Sequence, residues 1–539
     1  MRAAALARGL PGSLLLVAAL LAGCTGDDDP AGPTTTHASG PVDGGTLRLA
    51  LGAAVQPDPV LANLGSPADM LVLGLLHDGL TQVDSDGTPE PGIAEAWTAD
   101  ASQTTWVFTL DPDAAFSSGR PVTSADVVAS LERVARGGDA SLAALRLEPI
   151  SGFRAFVDGT AEHLAGLTAP DADTVQIVLD TPLSVLPTVL ASPVFGIVDA
   201  ATVDEAVQDA GPADLSALDL SGGWDVSDVD ARTDTVTLDR RDDVAGHLDA
   251  VELRAYEDAA SAYEAFDDGD ADWALVPAGR VEDAVDAHGD DHFAPFQAEL
   301  FFGMHVTSGS LANVELRKAV AAAIDGEAIV EEVYPDLADP LTAIVPAGVP
   351  GHDPDRCSEC GYDPDRAKGI LAAAFPDGQV PTVAIDFDQS AAQEAMAELV
   401  AADLDAVGIP TQLRPLPLED YKRFVVSGAQ ELFSFGWIGG YASPDAYLAP
   451  LFGSAANDNL TAYGAASVDA ALAAARASAD PAAALEQWEA VEAQVLAEAA
   501  VVPILQFRTQ AVVSERVEAF QHAVDGGVDW SVVWVRDGT

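Results

Sequence analysis

From Gly45 almost to the end of the chain, short runs with strand periodicity alternate with longer runs of helical periodicity, and this alternation narrows the fold class most. Residues 45–51 (Gly-Thr-Leu-Arg-Leu-Ala-Leu) read as a first strand, and 106–110, 174–179 and 235–238 read as strands by their β-branched and aromatic content. Residues 316–330 and 394–407 read as helices. In the second, Met396, Leu399, Val400, Leu404 and Val407 share one face, Gly408 ends the run and Pro410 follows. Asp480-Pro481 opens a further helix with Leu485, Trp488, Val491 and Val495 on its apolar side. No internal repeat interrupts the pattern. A mixed α/β protein is expected.

The first residues carry a different signal. Arg2 and Arg8 precede an apolar run over 13–22 that is too short to span a bilayer well and ends in small residues, as a cleaved export leader does. Leu21-Ala22-Gly23-Cys24 has the branched apolar residue, two small residues and cysteine that bacterial lipidation requires. The expectation is a leader over 1–23 and a lipid on Cys24, so that the chain is held to the outer face of the membrane by acyl groups rather than by a helix. The alternative is an ordinary leader with a cysteine at its cleavage site. Residues 24–44 lack apolar periodicity and read as a disordered tether.

Eighty-six acidic against 25 basic residues give a net charge of −61, and lysine occurs only at Lys318, Lys368 and Lys422. Such a chain is repelled by nucleic acid and by anionic headgroups. The acidity either draws in a cationic solute or reflects an organism-wide bias toward acidic, salt-tolerant surfaces. After the leader no apolar run is long enough to cross a membrane. Apart from Cys24 the only cysteines are Cys357 and Cys360. A structural zinc site wants four ligands, and even with His352 the set is incomplete. In an oxidising exterior a small disulfide-closed loop is the simpler account.

Several segments, in order, resemble the extracytoplasmic solute-binding proteins of ABC importers, family 5 (cluster C), which includes oligopeptide-, dipeptide- and nickel-binding members. Pro91-Gly-Ile-Ala-Glu-Ala-Trp97 is similar to the family's "P-G-L-A-E-S-W". Phe116-Ser-Ser-Gly-Arg-Pro-Val-Thr-Ser-Ala-Asp126 has its aromatic residue, Gly turn and "A-D-V" helix start, with Thr123 or Ser124 as cap. Phe266-Asp-Asp-Gly-Asp-Ala-Asp-Trp273, Leu316-Arg-Lys-Ala-Val-Ala-Ala-Ala-Ile-Asp325, Tyr362-Asp-Pro-Asp-Arg-Ala-Lys368 and Phe433-Ser-Phe-Gly-Trp-Ile-Gly-Gly-Tyr-Ala-Ser-Pro-Asp445 follow, so the likeness runs from about residue 45 to 506. The resemblance implies a two-lobed periplasmic-binding-protein-like α/β fold of type II with an extra subdomain in the N-terminal lobe. The expected division is 45–75, 190–299 and 507–539 for lobe I, 76–189 for the subdomain and 300–506 for lobe II.

The resemblance further implies a non-enzymatic, monomeric protein without cofactor or metal. It would close on a small-molecule or peptide solute, a peptide or peptide-like one first, and deliver it to ABC permease subunits. In peptide-binding members an aspartate at the place of Gly440 pairs with the solute's α-amino group. Its absence here leaves a buried ammonium without a counter-charge. Asp445 either substitutes from a shifted position or merely caps a helix. Family motif positions place Trp224, Phe302, His305, Gly436, Trp437, Gly440, Tyr441 and Asp445 at the cleft, with core packing the competing account of each aromatic ring. Trp224 lies in Ser221-Gly-Gly-Trp-Asp225, which keeps the glycines and the aromatic of a family turn, and His305 stands where an asparagine is common.

Two other functions compete. A solute sensor or surface chaperone would use the same fold without a permease. A secreted hydrolase would need catalytic groups, yet neither Gly-x-Ser-x-Gly nor His-Glu-x-x-His occurs. His288 and His292 flank Gly289, which argues against a metal-binding helix there.

Overall fold

In the computed structural model the described residues are 40–84, 87–206, 215–357 and 360–536, so the leader, Cys24 and most of the expected tether lie outside them. Thr46–Leu51 is the centre of a six-stranded sheet whose order is Ala511–Val513, Trp273–Leu275, Thr46–Leu51, Ala250–Ala255, Thr235–Arg240, Trp224–Asp230. Its central strand runs parallel to both neighbours. Leu47, Leu49 and Trp273 are fully buried, and each such side chain contributes about 1.5–3 kcal/mol. Asp43 bonds the His247 ring at 2.7 Å and the Gly44 N–H donates to the His247 carbonyl, so the fixed chain begins slightly before Gly45.

A second six-stranded sheet has the order Ala338–Pro340, Val501–Thr509, Ala294–Met304, Leu432–Ile438, Val383–Asp388, Thr411–Leu416. The long strands Ala294–Met304 and Val501–Thr509 pair antiparallel from Ala294 opposite Thr509 to Gly303 opposite Val501. The chain enters this lobe along the first of them and leaves along the second, straight into Ala511–Val513 of the other sheet. Both strands cross the boundaries at 300 and 506 that the sequence suggested, because the pairing continues past them.

Residues 94–178 add a four-stranded antiparallel sheet, Ala94–Ala99, Thr105–Leu110, Thr174–Val178, Leu167–Asp171. Gly119 makes its turn at φ 81°. Thr123 and Asp126 then form a reciprocal capping box at the start of helix Ser124–Ala135. Arg120 ties Asp126 at 3.0 Å to Asp199 at 2.6 Å, and Arg133 reaches back to Asp58 at 2.6 Å. The largest apolar core runs from this subdomain (Trp106, Phe108, Ile177) into the second lobe (Trp437, Tyr447, Trp488, Val491). The subdomain is therefore what covers the end of strand Leu432–Ile438.

One expected element is divided. Instead of a single helix over 316–330 there are two, Val314–Ala323 and Gly326–Val333. Ile324 is extended, and the Asp325 carboxylate accepts the Ala328 N–H, so Asp325-Gly326 caps a new helix rather than continuing the old one. By contrast, helix Ala391–Val407 ends on Gly408 in the left-handed region at φ 94°. No described helix is long and apolar enough to cross a membrane.

Candidate functional site

Strand Leu432–Ile438 places Phe433, Phe435 and Trp437 on one side by its two-residue period. Their rings follow one another at 6.5 and 6.3 Å, with Phe301 of the adjacent strand 5.4 Å from Phe435. The strand runs into Gly439-Gly440, where the backbone turns back against Gln297. The Gly439 N–H donates to the Gln297 carbonyl at 3.0 Å, and the Gly440 N–H donates to Gln297 Oε1 at 2.8 Å. Gly440 has φ 85°, which favours glycine, and a Cβ on Gly439 would overlap the Tyr447 hydroxyl. The ring of Trp437 is fixed by its own N–H, which donates to the Ala446 carbonyl at 2.8 Å.

Asp445 is consumed by structure. Its carboxylate is completely buried and receives Arg476 Nε at 2.6 Å, Arg476 Nη2 at 3.0 Å and the Tyr441 hydroxyl at 2.9 Å. Burial and the neighbouring Asp445 push the Tyr441 hydroxyl well above its ordinary value, so it stays protonated and donates. Burial opposes the Arg476 charge, but Asp445 outweighs it and raises the guanidinium further. Asp445 is thus not free to receive an amine, and the shifted-position reading is corrected. It stands at the first turn of helix Asp445–Phe452, but buried in an ion pair rather than as a solvated cap.

Facing this turn is Arg146, at the end of the short helix Leu142–Leu145 in the subdomain. Its Nη2 donates to the Ile438 carbonyl at 2.7 Å. Its guanidinium carbon lies 5.2 Å from the Trp437 ring and 5.9 Å from that of Tyr441. Leu64 and Gly65, just before helix Pro67–Leu76, close the third side against Gly440 and Ile438. Within the first lobe, a cavity of about 210 Å³ opens at the carboxyl end of Thr46–Leu51. Its wall is mostly small and apolar (Ala50, Gly52 to Val55, Ala68, Ala259, Ala262) over Trp273, with Gln56, Ser66 and Asp69 the polar edge. Crevices at strand carboxyl ends are where open α/β sheets receive ligands.

Of the eight residues the sequence singled out for the cleft, Trp437, Gly440, Tyr441 and Asp445 come together, and Gly436 lies exposed on the strand before them. Three do not join them. Trp224 is 4 % exposed in the first lobe's own core, and Phe302 is fully buried among Met304, Leu316 and Leu432. His305 lies beside Glu431, beyond the opposite end from Gly440 of a strand that is roughly 20 Å long at the rise of a β-strand. Its ring meets Ser308 Oγ at 2.8 Å, and burial lowers its proton affinity. Cys357 and Cys360 are joined by a disulfide, and His352 Nδ1 contacts the Val345 carbonyl at 2.7 Å. His288 ends helix Val281–His288, whereas His292 lies beyond the Gly289 cap, so no helix face presents both.

Sequence reasoning missed Arg146, Gln297, Tyr447 and Arg476. Arg146 sits in Ala-Ala-Leu-Arg-Leu, which carries no motif, and it meets Ile438 across 292 positions. A tally of arginines lacking a nearby acid in sequence would not have isolated it.

Known proteins give an independent comparison. Residues 88–459 match the family described as "Bacterial extracellular solute-binding proteins, family 5 Middle". The dipeptide-binding protein DppE of Bacillus subtilis (strain 168) is 24% identical over 479 residues, covering 85% of this chain and 86% of its own. Heme-binding protein A of Haemophilus influenzae is 24% identical over 403 residues, covering 69% of this chain and 71% of its own. The unliganded open form of MppA, a periplasmic murein tripeptide-binding protein, superposes with a TM-score of 0.79 at 22% identity, covering 92% of this chain and 99% of that one. The two-lobed architecture is therefore that of these binding proteins.

Proposed function

Because the chain belongs to the family 5 bacterial extracellular solute-binding proteins, we propose that it is the substrate-binding component of an ABC importer, lipid-anchored through Cys24 on the outer face of the membrane. It captures a peptide or peptide-like solute between its lobes and hands it to the permease subunits. The anchor reading rests on Arg2, Arg8, the apolar run over 13–22 and Leu21-Ala22-Gly23-Cys24. The peptide reading is supported by the names of DppE and MppA.

The observation that carries the capture mechanism is the connection between the lobes. Two paired strands, Ala294–Met304 and Val501–Thr509, lead from one six-stranded sheet to the other, and the Gly439-Gly440 turn lies where the subdomain meets the second lobe. A hinge of two adjacent strands lets the lobes rotate as bodies, and a solute that contacts both shifts the population to the closed form by its differential affinity. No bond is made or broken in that cycle. Small residues over Trp273 admit a ligand main chain closely.

Titration followed by tryptophan fluorescence tests the reading, since Trp437 lies beneath Arg146 at the lobe junction. Saturable quenching or a spectral shift is expected with a di- or tripeptide mixture and not with hemin, a metal chelate or a sugar. Silence toward the peptides, or a response to hemin alone, would count against it.

A further inference from the structure

We propose that Arg146 is the anion-binding residue of the solute site: its guanidinium receives a carboxylate, or another planar oxyanion, carried by the part of the solute that lies at the Gly440 turn. This inference rests on the solute-capture reading above and names the chemical class of one end of the solute.

Charge accounting is the first argument. In a chain with 86 acidic residues, Arg146 forms no ion pair among the described residues. The acids around it are engaged or held back. Asp445 belongs to Arg476, and Glu148 belongs to Arg154. Burial pushes the Asp458 carboxyl up, and Arg146 is the opposing influence there, without a hydrogen bond between them. A cation whose nearby acid feels it only at a distance, with no carboxylate bonded to it, gains when a directly bonded anion arrives.

Hydrogen bonding is the second. A guanidinium has five N–H donors. Nη2 uses one on the Ile438 carbonyl at 2.7 Å, while Nε is buried and has no acceptor. A mere latch between subdomain and strand needs only the first bond. A buried donor with no partner costs on the order of 1–3 kcal/mol, which an arriving oxyanion recovers.

Shape is the third. The Trp437 and Tyr441 rings hold the guanidinium in place from one side. A Cβ on Gly440 would come 3.1 Å from Arg146 Nε, so a side chain at 440 and the guanidinium compete for the same space. Gly440 and Arg146 are complementary: the turn has no side chain because the arginine fills that place. A planar fork fixed against aromatic rings suits a carboxylate in a way a lysine does not.

The test uses the full chain and one tripeptide-amide library prepared in three forms, with a free amino end, an N-acetyl end and an N-succinyl end. Retention after equilibrium dialysis is read by native mass spectrometry. The succinyl form should be retained at least about tenfold more tightly than the free-amine form. Arg146→Gln should abolish that preference, and Arg146→Lys should keep part of it, with thermal melting confirming that both variants fold. Preference for the free amine would overturn the inference and leave peptide capture standing. Equal retention of all three forms, weakened alike by Arg146→Gln, would show a latch only and also overturn it. Retention of none of these amides, and of none of the same tripeptides with a free carboxyl end, would overturn the peptide reading and this inference together.

Discussion

Asp445 shows how one residue's role is decided by its partners rather than by its place in a motif. Its side chain is fully buried and holds two Arg476 nitrogens and the Tyr441 hydroxyl. Removing one member of a buried pair leaves the other charged and unpaired, which costs about 3–5 kcal/mol. Asp445→Ala should therefore lower the urea midpoint sharply at unchanged m-value. A variant that folds with wild-type stability and merely loses solute would contradict this assignment. The sequence made the aromatic and glycine content of 433–441 readable, because period-two alternation and a Gly-Gly turn are local. The arginines that complete the site were not readable, since Arg146 and Arg476 reach it from other segments and carry no local pattern.

At the level of elements, the break at Ile324-Asp325 is the clearest divergence from periodicity. Apolar spacing over 316–330 fits one helix, yet the extended Ile324 and the Asp325 cap divide it. The cap competes with helix continuation because a short carboxylate satisfies the first free N–H groups of the next helix. Asp325→Ala should cost about 1 kcal/mol in unfolding free energy, read by denaturant titration. A neutral or stabilising effect would mean that a continuous helix is what the segment prefers. Elements with strong local punctuation were legible for the opposite reason. Gly408 after the 394–407 face and Asp480-Pro481 before helix Pro481–Ala497 each have one stable local solution.

The interlobe strands add a pH response in the same register. Glu299 lies in Ala294–Met304, its Oε1 has no partner, and burial, then repulsion from Glu492, raise its carboxyl well above the usual range. The folded protein keeps a proton there that the unfolded chain releases above its ordinary value of 4.5, so this group's contribution to stability falls as pH rises from that point. Glu299→Gln should be more stable than the parent at pH 8, with the advantage shrinking toward pH 5, as chemical denaturation across that range will show. A gap independent of pH would contradict a raised carboxyl.

On the scale of the whole molecule, collinear motifs were enough to identify the family because spacing between them reflects a shared order of elements. They did not fix where the lobes divide, since strands Ala294–Met304 and Val501–Thr509 belong to pairing that runs through the junction. They also did not reveal that the subdomain and the second lobe share one apolar core, a property of tertiary packing alone. The central claim is that one solute is held without chemistry between two lobes. Native mass spectrometry of the protein, purified without denaturation and then offered a peptide mixture, tests it most directly. The expected result is one non-covalent molecule of peptide mass per chain, released intact on unfolding. A bare chain after that exposure, or a solute recovered cleaved, would contradict it.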